Sequence, residues 1–177
     1  MVIEFRKGDI LKLLGIEYSV MFHQCNCTAG LGAGIALQIK NKFPDIEKKD
    51  KTFRSNNAFN GFGHSYIYKN SNIEIVNMYT QYYTGAPSNR VIPSEFTNNL
   101  FDDMETRVSK LKQVLKTLNS KYYNRIVAMP LIASGLAKDT KYSHLTDRQY
   151  FDKFIFPIIE DKLTDLHKII IVEYGTF

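Results

Sequence analysis

Apolar residues recur along the chain with two different periods, and the two kinds of stretch alternate. Short apolar runs rich in β-branched residues predict strands at residues 2–5, 20–24, 65–68, 73–79, 125–129 and 169–173. Apolar positions three or four apart predict a helix after a glycine-rich loop at residues 28–34, a long helix over residues 96–118 and another near residues 147–163. We expect Pro44 to stop the first helix and Pro157 to kink or interrupt the last.

This alternation predicts an α/β fold in which helices cover both faces of a mixed sheet. No repeat, low-complexity tract or linker divides the sequence, so residues 1–177 are expected to form a single domain. No apolar run is long enough to cross a bilayer, and residues 1–10 lack the apolar core of a signal peptide. A cytoplasmic protein without membrane contact is the expectation.

The formal net charge of +5 raises the question of nucleic-acid binding. The basic residues are dispersed, however, and we interpret them as solvated helix faces rather than as a binding surface. One group lies on and after the first predicted helix, and the other lies on the polar face of the long helix (Lys40, Lys42, Lys48, Lys49, Lys51 and Arg54; Arg107, Lys110, Lys112 and Lys116). A positive field suits an anionic small molecule equally well.

The two cysteines, Cys25 and Cys27, are separated by one residue. They can form neither a disulfide framework nor a four-ligand zinc site, so neither a metal nor a cofactor is expected. We interpret both as packing residues, with a reactive thiol as the alternative.

Four places where a strand gives way to a loop carry candidate chemistry, because ligands of open α/β sheets bind beyond the carboxyl ends of strands. In the glycine loop, Gly30, Gly32 and Gly34 let backbone N–H groups approach an anion at a helix N-terminus. Their spacing fits neither a dinucleotide-binding fingerprint nor a P-loop. The alternative is a turn in which the glycines serve close packing only.

The second loop, residues 130–138, offers consecutive backbone donors at Ser134 and Gly135 for another phosphate. Asp9 follows the first strand and is either a helix N-cap or an acceptor for an exocyclic amine such as that of adenine. Tyr174 follows the last strand, where its ring could lie against a base.

Two polar residues of the second predicted strand complete the candidate set. His23 is the ionisable residue of an otherwise apolar strand, so it is either a satisfied core histidine or an acid–base catalyst. Asn26 lies where the strand opens and can hydrogen-bond ribose hydroxyls through both amide groups.

Over nearly its whole length the chain resembles a macrodomain. The resemblance is carried by Gly8-Asp9-Ile10, by the strand end at residues 77–81, by residues 130–135, and by His23-Gln24-Cys25-Asn26-Cys27 with Gly32-Ala33-Gly34-Ile35-Ala36. The His-x-Cys-Asn-Cys form, followed by a helix ending in Phe43-Pro44, is similar to the branch that includes ADP-ribose-1″-phosphate phosphatases.

The resemblance implies a three-layer α/β/α fold with a mixed central sheet. It implies that Asp9 contacts the adenine amino group, that the Ile10 backbone meets the ring edge and that Tyr174 flanks the base. Asn26 is then expected at the distal ribose, and His23 becomes the catalytic candidate. The distal ribose and the diphosphate are expected to be held by backbone of the two loops (Gly32, Ala33, Gly34, Ile35 and Ala36; Ser134, Gly135, Leu136 and Ala137).

The expected function is binding of ADP-ribose or an ADP-ribosylated substrate and its hydrolysis, as an ADP-ribose-1″-phosphate phosphatase or an ADP-ribosyl hydrolase. Ala137 stands where a branch that cleaves glutamate-linked ADP-ribose has an aspartate, so that mechanism is not expected. The alternative is a non-catalytic ADP-ribose reader, and nucleic-acid binding is the least favoured. The sequence makes no prediction about oligomeric state.

Overall fold

Six strands form one mixed sheet in the computed structural model, which describes residues 1–28, 30–56, 61–93 and 100–175. Along the sheet the order is β1-β6-β5-β2-β4-β3, and every neighbouring pair is parallel except β3 with β4. The strands are β1 (Val2–Gly8), β2 (Val20–Asn26), β3 (Ser65–Asn70), β4 (Ile73–Gln81), β5 (Ile126–Pro130) and β6 (Lys168–Tyr174).

The helices lie on both faces of this sheet. Adjacent strand residues such as Met21 and Phe22 belong to different apolar clusters because successive side chains point to opposite faces. Six α-helices lie within the described ranges, namely α1 (Ile10–Leu13), α2 (Gly34–Lys42), α3 (Asp45–Asn56), α4 (Met104–Lys121), α5 (Asp147–Tyr150) and α6 (Phe156–Lys162). Residues from α1–α3 enter one cluster and residues from α4–α6 enter the other. The expected three-layer α/β/α fold is therefore confirmed.

Helix α2 ends at Lys42, one residue before Phe43 and Pro44, as the proline predicted. Helix α3 begins at Asp45, directly after Pro44, and was not predicted from the sequence. Two of its residues, Ile46 and Asp50, are at most 1% exposed, and one of them is charged. The buried face of α3 therefore lacks the repeating apolar positions from which a helix is predicted. Ion pairs one turn apart lie along it, linking Asp45 to Lys49 and Asp50 to Arg54.

The long amphipathic helix is shorter than predicted. Helix α4 begins at Met104 because the Asp103 side chain caps it, accepting from the Thr106 N–H at 2.8 Å. Leu100, placed on the apolar helix face by periodicity, instead precedes the helix and is 38% exposed. Phe96 lies outside the described residues.

The last helical region is interrupted just before Pro157, as expected from the proline. A π-helical segment, Phe151–Ile155, joins α5 to α6, and Pro157 lies in the first turn of α6. Since proline has no N–H to donate, the helical ladder changes register there. Within the described ranges, no helix is both long and apolar enough to cross a membrane.

The five strands β1, β6, β5, β2 and β4 run in the same direction, so their carboxyl ends meet at one edge of the sheet. The loops after these strands therefore converge there. In sheets of this kind that edge is where ligands bind.

Candidate ligand-binding site

A pocket of about 660 Å³ runs along this edge of the sheet. One end is formed by Gly8, Ile10 and Tyr174, which follow or end the neighbouring strands β1 and β6. The other end is formed by Tyr79 and Gln81 of β4 and by the residues after them. The loops after β5 and β2 lie between, so the pocket is an elongated cleft that crosses five strand ends.

Residues 30–34 of the glycine loop, together with the start of α2, form one wall of the cleft. The first backbone hydrogen bond of α2 joins Leu37 N–H to Ala33 O at 3.2 Å, so helix geometry leaves the preceding N–H groups without helical acceptors. Ala33 occupies the N-cap position, and no side chain caps the helix. Gly34 has a φ of +54°, which favours glycine. The five residues expected in this loop, Gly32, Ala33, Gly34, Ile35 and Ala36, all line the cleft, although the Gly32 N–H already donates to the Gly30 carbonyl at 2.8 Å.

The second loop also lines the cleft, with all four residues expected there, Ser134, Gly135, Leu136 and Ala137. Ala133 and Gly135 have φ values of +58° and +62°, and Ser134 between them is extended. A left-handed alanine is uncommon and marks a backbone shape fixed by its surroundings. The Ser134 hydroxyl donates to the carbonyl of Leu131, which holds the turn from within. The structure thus brings the two predicted backbone loops to the same cavity.

Three predicted residues lie at or beside the ends of the cleft. Asn26 lines it at the end of β2, and its side-chain oxygen accepts from Thr28 N–H at 3.2 Å. Tyr174 lines the β1/β6 end with 76% of its surface exposed. Asp9 caps α1 by accepting from Leu11 N–H at 2.9 Å, and its neighbours Gly8 and Ile10 line the cleft whereas Asp9 itself does not.

His23 lies in the interior, and its ring is not part of the cleft lining. It is 0% exposed and donates from Nε2 to the side-chain oxygen of Asn77 at 2.6 Å. Burial lowers its pKa to about 4, although the bond to Asn77 opposes the shift, so the ring is neutral at physiological pH. The expectation that this ring reaches the ligand is therefore not met, and the alternative of a satisfied core histidine describes its geometry.

The hydrogen bonds of His23 continue to a buried carboxylate that does line the cleft. Asn77 donates from Nδ2 to Asp50 at 3.0 Å, Tyr79 donates its hydroxyl to the same oxygen, and Arg54 pairs with the other oxygen at 2.9 Å. Desolvation raises the pKa of Asp50, while Arg54 and Asn77 oppose the shift. Asp50 and Tyr79 both form part of the cleft at its β4 end. Periodicity gave no signal for Asp50, because one aspartate in a charged helix looks like any other.

The β4 end also contains a bulge and the loop that follows it. Cys25 pairs with Tyr79 and Asn26 pairs with Gln81, so Thr80 is an extra residue on β4. Gln81 lines the cleft, as do Thr84 and Gly85 after it. Gln81 could have been predicted as a lining residue, because it is a polar residue at the end of a strand. Thr84 and Gly85 could not, because a buried arginine holds their loop in place through backbone hydrogen bonds.

Arg107 of α4 is that arginine, and it is buried rather than solvated as the sequence predicted. It was interpreted as part of a solvated helix face, but it is 4% exposed. It pairs through two nitrogens with the fully buried Asp102 and donates to the carbonyl of Gly85 at 2.8 Å. The carboxylate of Asp102 in turn accepts from the N–H groups of Tyr82 and Tyr83 at 2.9 and 3.1 Å. Through these hydrogen bonds the ion pair between Asp102 and Arg107 holds the backbone of residues 82–86 in place.

The cysteines behave as predicted for packing residues. Cys25 and Cys27 are 6% and 2% exposed, both are free thiols, and burial raises the pKa of each. Cys25 borders the cleft. Among the described residues, no group of three or more metal-ligating side chains is assembled.

The charges that line the cleft are all negative. Its acidic side chains are Asp50, Asp147 and Glu173, and the described lining contains no lysine, arginine or histidine. The cationic partners Arg54, Lys138 and Arg148 pair with these acids without lining the cleft themselves. The net charge of +5 is therefore not concentrated in the pocket.

Comparison with known proteins gives a short sequence match and several full-length structural matches. No family model matches the chain. An uncharacterized 17.5 kDa protein in the tk-vs intergenic region of Enterobacteria phage T4 is 39% identical over 51 residues, 29% of this chain and 32% of that protein. The match thus spans about a third of the curated relative. A protein of unknown function from Bacteroides thetaiotaomicron superposes with a TM-score of 0.71 at 19% identity, over 97% of this chain and 98% of that one.

The macrodomain of Thermus aquaticus DarG superposes with a TM-score of 0.62 at 17% identity, over 99% of both chains. The chain has the macrodomain fold. Thermosipho africanus DarTG, solved in complex with ADP-ribose, matches with a TM-score of 0.60 at 15% identity, over 97% of this chain and 42% of that one. Within this macrodomain fold, the cleft at the carboxyl edge is the candidate site, and at these identities the likeness establishes the fold alone.

Proposed function

We propose that the protein binds ADP-ribose, or the ADP-ribose part of a larger molecule, in the cleft described above. The observation that supports the proposal is that both backbone loops line one cavity at the carboxyl edge of the sheet. Two phosphates joined to two ribosyl groups need donors in the middle of a cleft and different surroundings at its ends. The structural neighbour solved with ADP-ribose adds support from the same fold.

We place the diphosphate in the middle of the cleft. The N-terminus of α2, with its N–H groups and helix-dipole charge, lines this part of the cleft together with the second loop, and neither adds a cationic side chain to the lining. Backbone donors in a fixed arrangement do not require a long side chain to be ordered when the ligand binds, which favours affinity.

The two ends differ in chemistry as a nucleotide ligand requires. At the β1/β6 end, the exposed ring of Tyr174, the side chain of Ile10 and the backbone of Gly8 offer an apolar platform for a base. At the β4 end, Asn26, Gln81 and Thr84 offer amides and a hydroxyl for ribose hydroxyls. We therefore place adenine against Tyr174 and the distal ribose against Asn26.

The two expected reactions, phosphate release and hydrolysis of an ADP-ribosyl linkage, both need a proton-transfer group at the ligand. His23, the expected catalyst, has no surface in the cleft. The oxygens of Asp50 accept from Asn77, Tyr79 and Arg54, so its lone pairs are already used. The other carboxylates of the described lining, Asp147 and Glu173, are paired with Lys138 and Arg148. The described part of the cleft therefore supports binding better than catalysis, and a reader of ADP-ribose is the function we favour.

Calorimetric titration with ADP-ribose, AMP and ribose 5-phosphate tests the proposal. We expect ADP-ribose to bind more tightly than either fragment, because only the whole ligand reaches both ends of the cleft. Affinity for AMP equal to that for ADP-ribose would contradict the placement of the distal ribose, and absence of ADP-ribose binding would refute the proposed function.

Turnover is measured on the same samples with ADP-ribose-1″-phosphate and an ADP-ribosylated protein. A reader leaves both substrates intact. If turnover occurs, His23→Gln separates the two explanations, since an unchanged rate removes His23 from the mechanism and a lost rate restores it.

A further inference from the structure

Gln24 of β2 is half-buried and borders two cavities at once. It lines the cleft, and it also lines a small void of about 10 Å³ whose other walls come mainly from α4. Ala133 and Ala137 of the second loop border both cavities in the same way. Gln24 therefore lies beside the loop at which we place the diphosphate, and neither alanine has a polar side chain to offer there.

The side-chain amide of Gln24 has no protein partner within the described ranges. It makes no hydrogen bond there, whereas Gln81 of the same cleft donates to the carbonyl of Tyr83 at 2.9 Å. Among the described residues, the enclosed polar side-chain atom without a partner is Thr80 Oγ1, so the oxygen and the nitrogen of Gln24 both reach the cleft or the void. The amide is thus available to whatever fills those two spaces.

Arg107 is the other polar residue that lines the void. Its Nη1 donates to one acceptor, the carbonyl of Gly85, so the second N–H of that nitrogen has no acceptor among the described residues. A guanidinium has donors only, whereas an amide has an oxygen on one side and an NH₂ group on the other. The void therefore favours the orientation in which the Gln24 oxygen faces Arg107, directly or through one water molecule, for which the volume is about sufficient.

We infer that Gln24 is an anion-recognising residue of the cleft, whose NH₂ group faces outward and donates to a phosphoryl oxygen held at the second loop. Arg107 is its positioning residue, because it determines which side of the amide faces the ligand. The inference rests on the proposed function, since it takes the diphosphate to lie in the middle of the cleft. It adds a specific side-chain donor to a site that otherwise offers main-chain N–H groups to the phosphates.

Gln24→Met tests the assignment, because methionine has nearly the same length but no donor. The wild type and the variant are titrated with ADP-ribose and ADP by calorimetry and with adenosine by NMR, which also detects weak binding. We expect the affinity for ADP-ribose and for ADP to fall at least fivefold, and the affinity for adenosine to stay within twofold. An equal loss for all three ligands would indicate a change in the shape of the cleft and would overturn the inference, as would no loss at all.

Gln24→Glu distinguishes the two orientations of the amide. Glutamate keeps acceptor oxygens at the same position, but it has no donor and adds a negative charge. We expect ADP-ribose to bind at least tenfold more weakly at low ionic strength, with a smaller loss as salt screens the repulsion. Retained affinity would mean that a ligand hydroxyl donates to residue 24, which contradicts an outward NH₂ group.

Gln38→Met is the matched control, because Gln38 lines the same cleft from α2 and does not border the void. We expect it to change ADP-ribose affinity less than twofold, and a loss equal to that of Gln24→Met would contradict the assignment. Thermal melts establish that each variant is folded. Failure of ADP-ribose to bind the wild type removes the proposed function and this inference together, whereas wild-type binding with an unaffected Gln24→Met overturns the inference alone.

Discussion

Arg107 and Asp102 form a buried, doubly hydrogen-bonded ion pair that supports the loop after β4. The side chains of the arginine and the aspartate are 5% and 0% exposed. The pair holds two N–H groups through the aspartate and three carbonyls through the arginine. Two residues of this loop, Thr84 and Gly85, line the cleft, so the pair links the helical layer to the candidate site.

Replacing Asp102 is expected to destabilise the protein strongly. Asp102→Ala leaves the Arg107 charge buried without a partner, and breaking such a pair costs about 3–5 kcal/mol of the free energy of unfolding. Asp152→Ala is the matched control, because Asp152 forms an exposed pair with Arg148 (43% and 35% exposed), a kind worth about 0–1 kcal/mol. Urea denaturation of the three proteins measures both values. A loss for Asp102→Ala no larger than for the control would mean that the buried pair contributes nothing to the fold.

Ala33→Asp separates folding from binding at the glycine loop. Ala33 is exposed, has extended backbone angles and caps α2 without a side-chain hydrogen bond, so an aspartate there gains a cap worth about 0.5–2 kcal/mol. The same carboxylate would lie against the diphosphate, and repulsion between like charges is expected to weaken ADP-ribose binding by about 1.4 kcal/mol or more, a factor of ten. We expect the melting temperature to stay or rise while affinity falls.

Ala33→Ser supplies the uncharged cap for comparison with Ala33→Asp. It should give a similar melting temperature and retain most of the affinity. Binding of ADP-ribose to Ala33→Asp at wild-type strength would place the diphosphate elsewhere.

His23 is expected to make stability depend on pH below neutrality. Its pKa is about 4 in the folded protein and about 6.5 when unfolded, so the unfolded chain binds the extra proton between these values. The contribution of His23 is complete above pH 6.5 and is lost as the pH falls towards 4, by about 3 kcal/mol in total.

His23→Gln keeps a donor for Asn77 but has no imidazole to titrate. Denaturation curves of both proteins from pH 7.5 to about 4 give the free energy of unfolding of each. In the difference between wild type and variant, the contributions of the other titrating groups cancel. The wild type should lose stability faster than the variant as the pH falls. Parallel curves would show that the folded and unfolded proteins protonate His23 alike.

Asp9 has a structural role in helix capping and a proposed role in base recognition. Asp9→Ala removes the acceptor for Leu11 N–H, which is expected to lower the free energy of unfolding by about 1 kcal/mol. If the carboxylate also accepts from the adenine amino group, ADP-ribose affinity falls by a further 1.5–3 kcal/mol, roughly the contribution of a charge-assisted hydrogen bond. Asp9→Asn keeps a helix cap and an amide oxygen as acceptor, so it should lose less stability and less ADP-ribose affinity than Asp9→Ala.

Calorimetry with ADP-ribose and with ribose 5-phosphate separates the two roles of Asp9. Affinity for ribose 5-phosphate should not change, because it has no base. A change in stability with no change in ADP-ribose affinity would leave Asp9 as a cap alone.

The sequence predicts the sheet better than the helices that cover it. All six strands of the described structure were predicted, because buried strands are short apolar runs. Helix α3 was missed, since its stability comes from ion pairs and from contacts that local periodicity does not reveal. The two loops that line the candidate site were predicted because glycine and small residues directly after a strand allow backbone N–H groups to approach a ligand.

The side chains behind the site could not be assigned in the same way. Arg107 and Asp50 sit among charged residues on helices, and only the tertiary packing distinguishes a buried charge from a solvated one. His23 shows the reverse difficulty, because an ionisable residue in an apolar strand fits a catalyst and a core residue equally well. Its partner, Asn77, is 54 residues away in the chain.

The reliance of the cleft on main-chain donors affects how its specificity can change by mutation. A substitution at Leu136 or Tyr174, which are 77% and 76% exposed, reshapes a wall or a base platform without deleting a single N–H group. In the proposed binding mode, recognition of the anion is separate from recognition of the group attached to it. One or two surface replacements could then give a preference for a new attached group while the main-chain contacts to the phosphates stay in place.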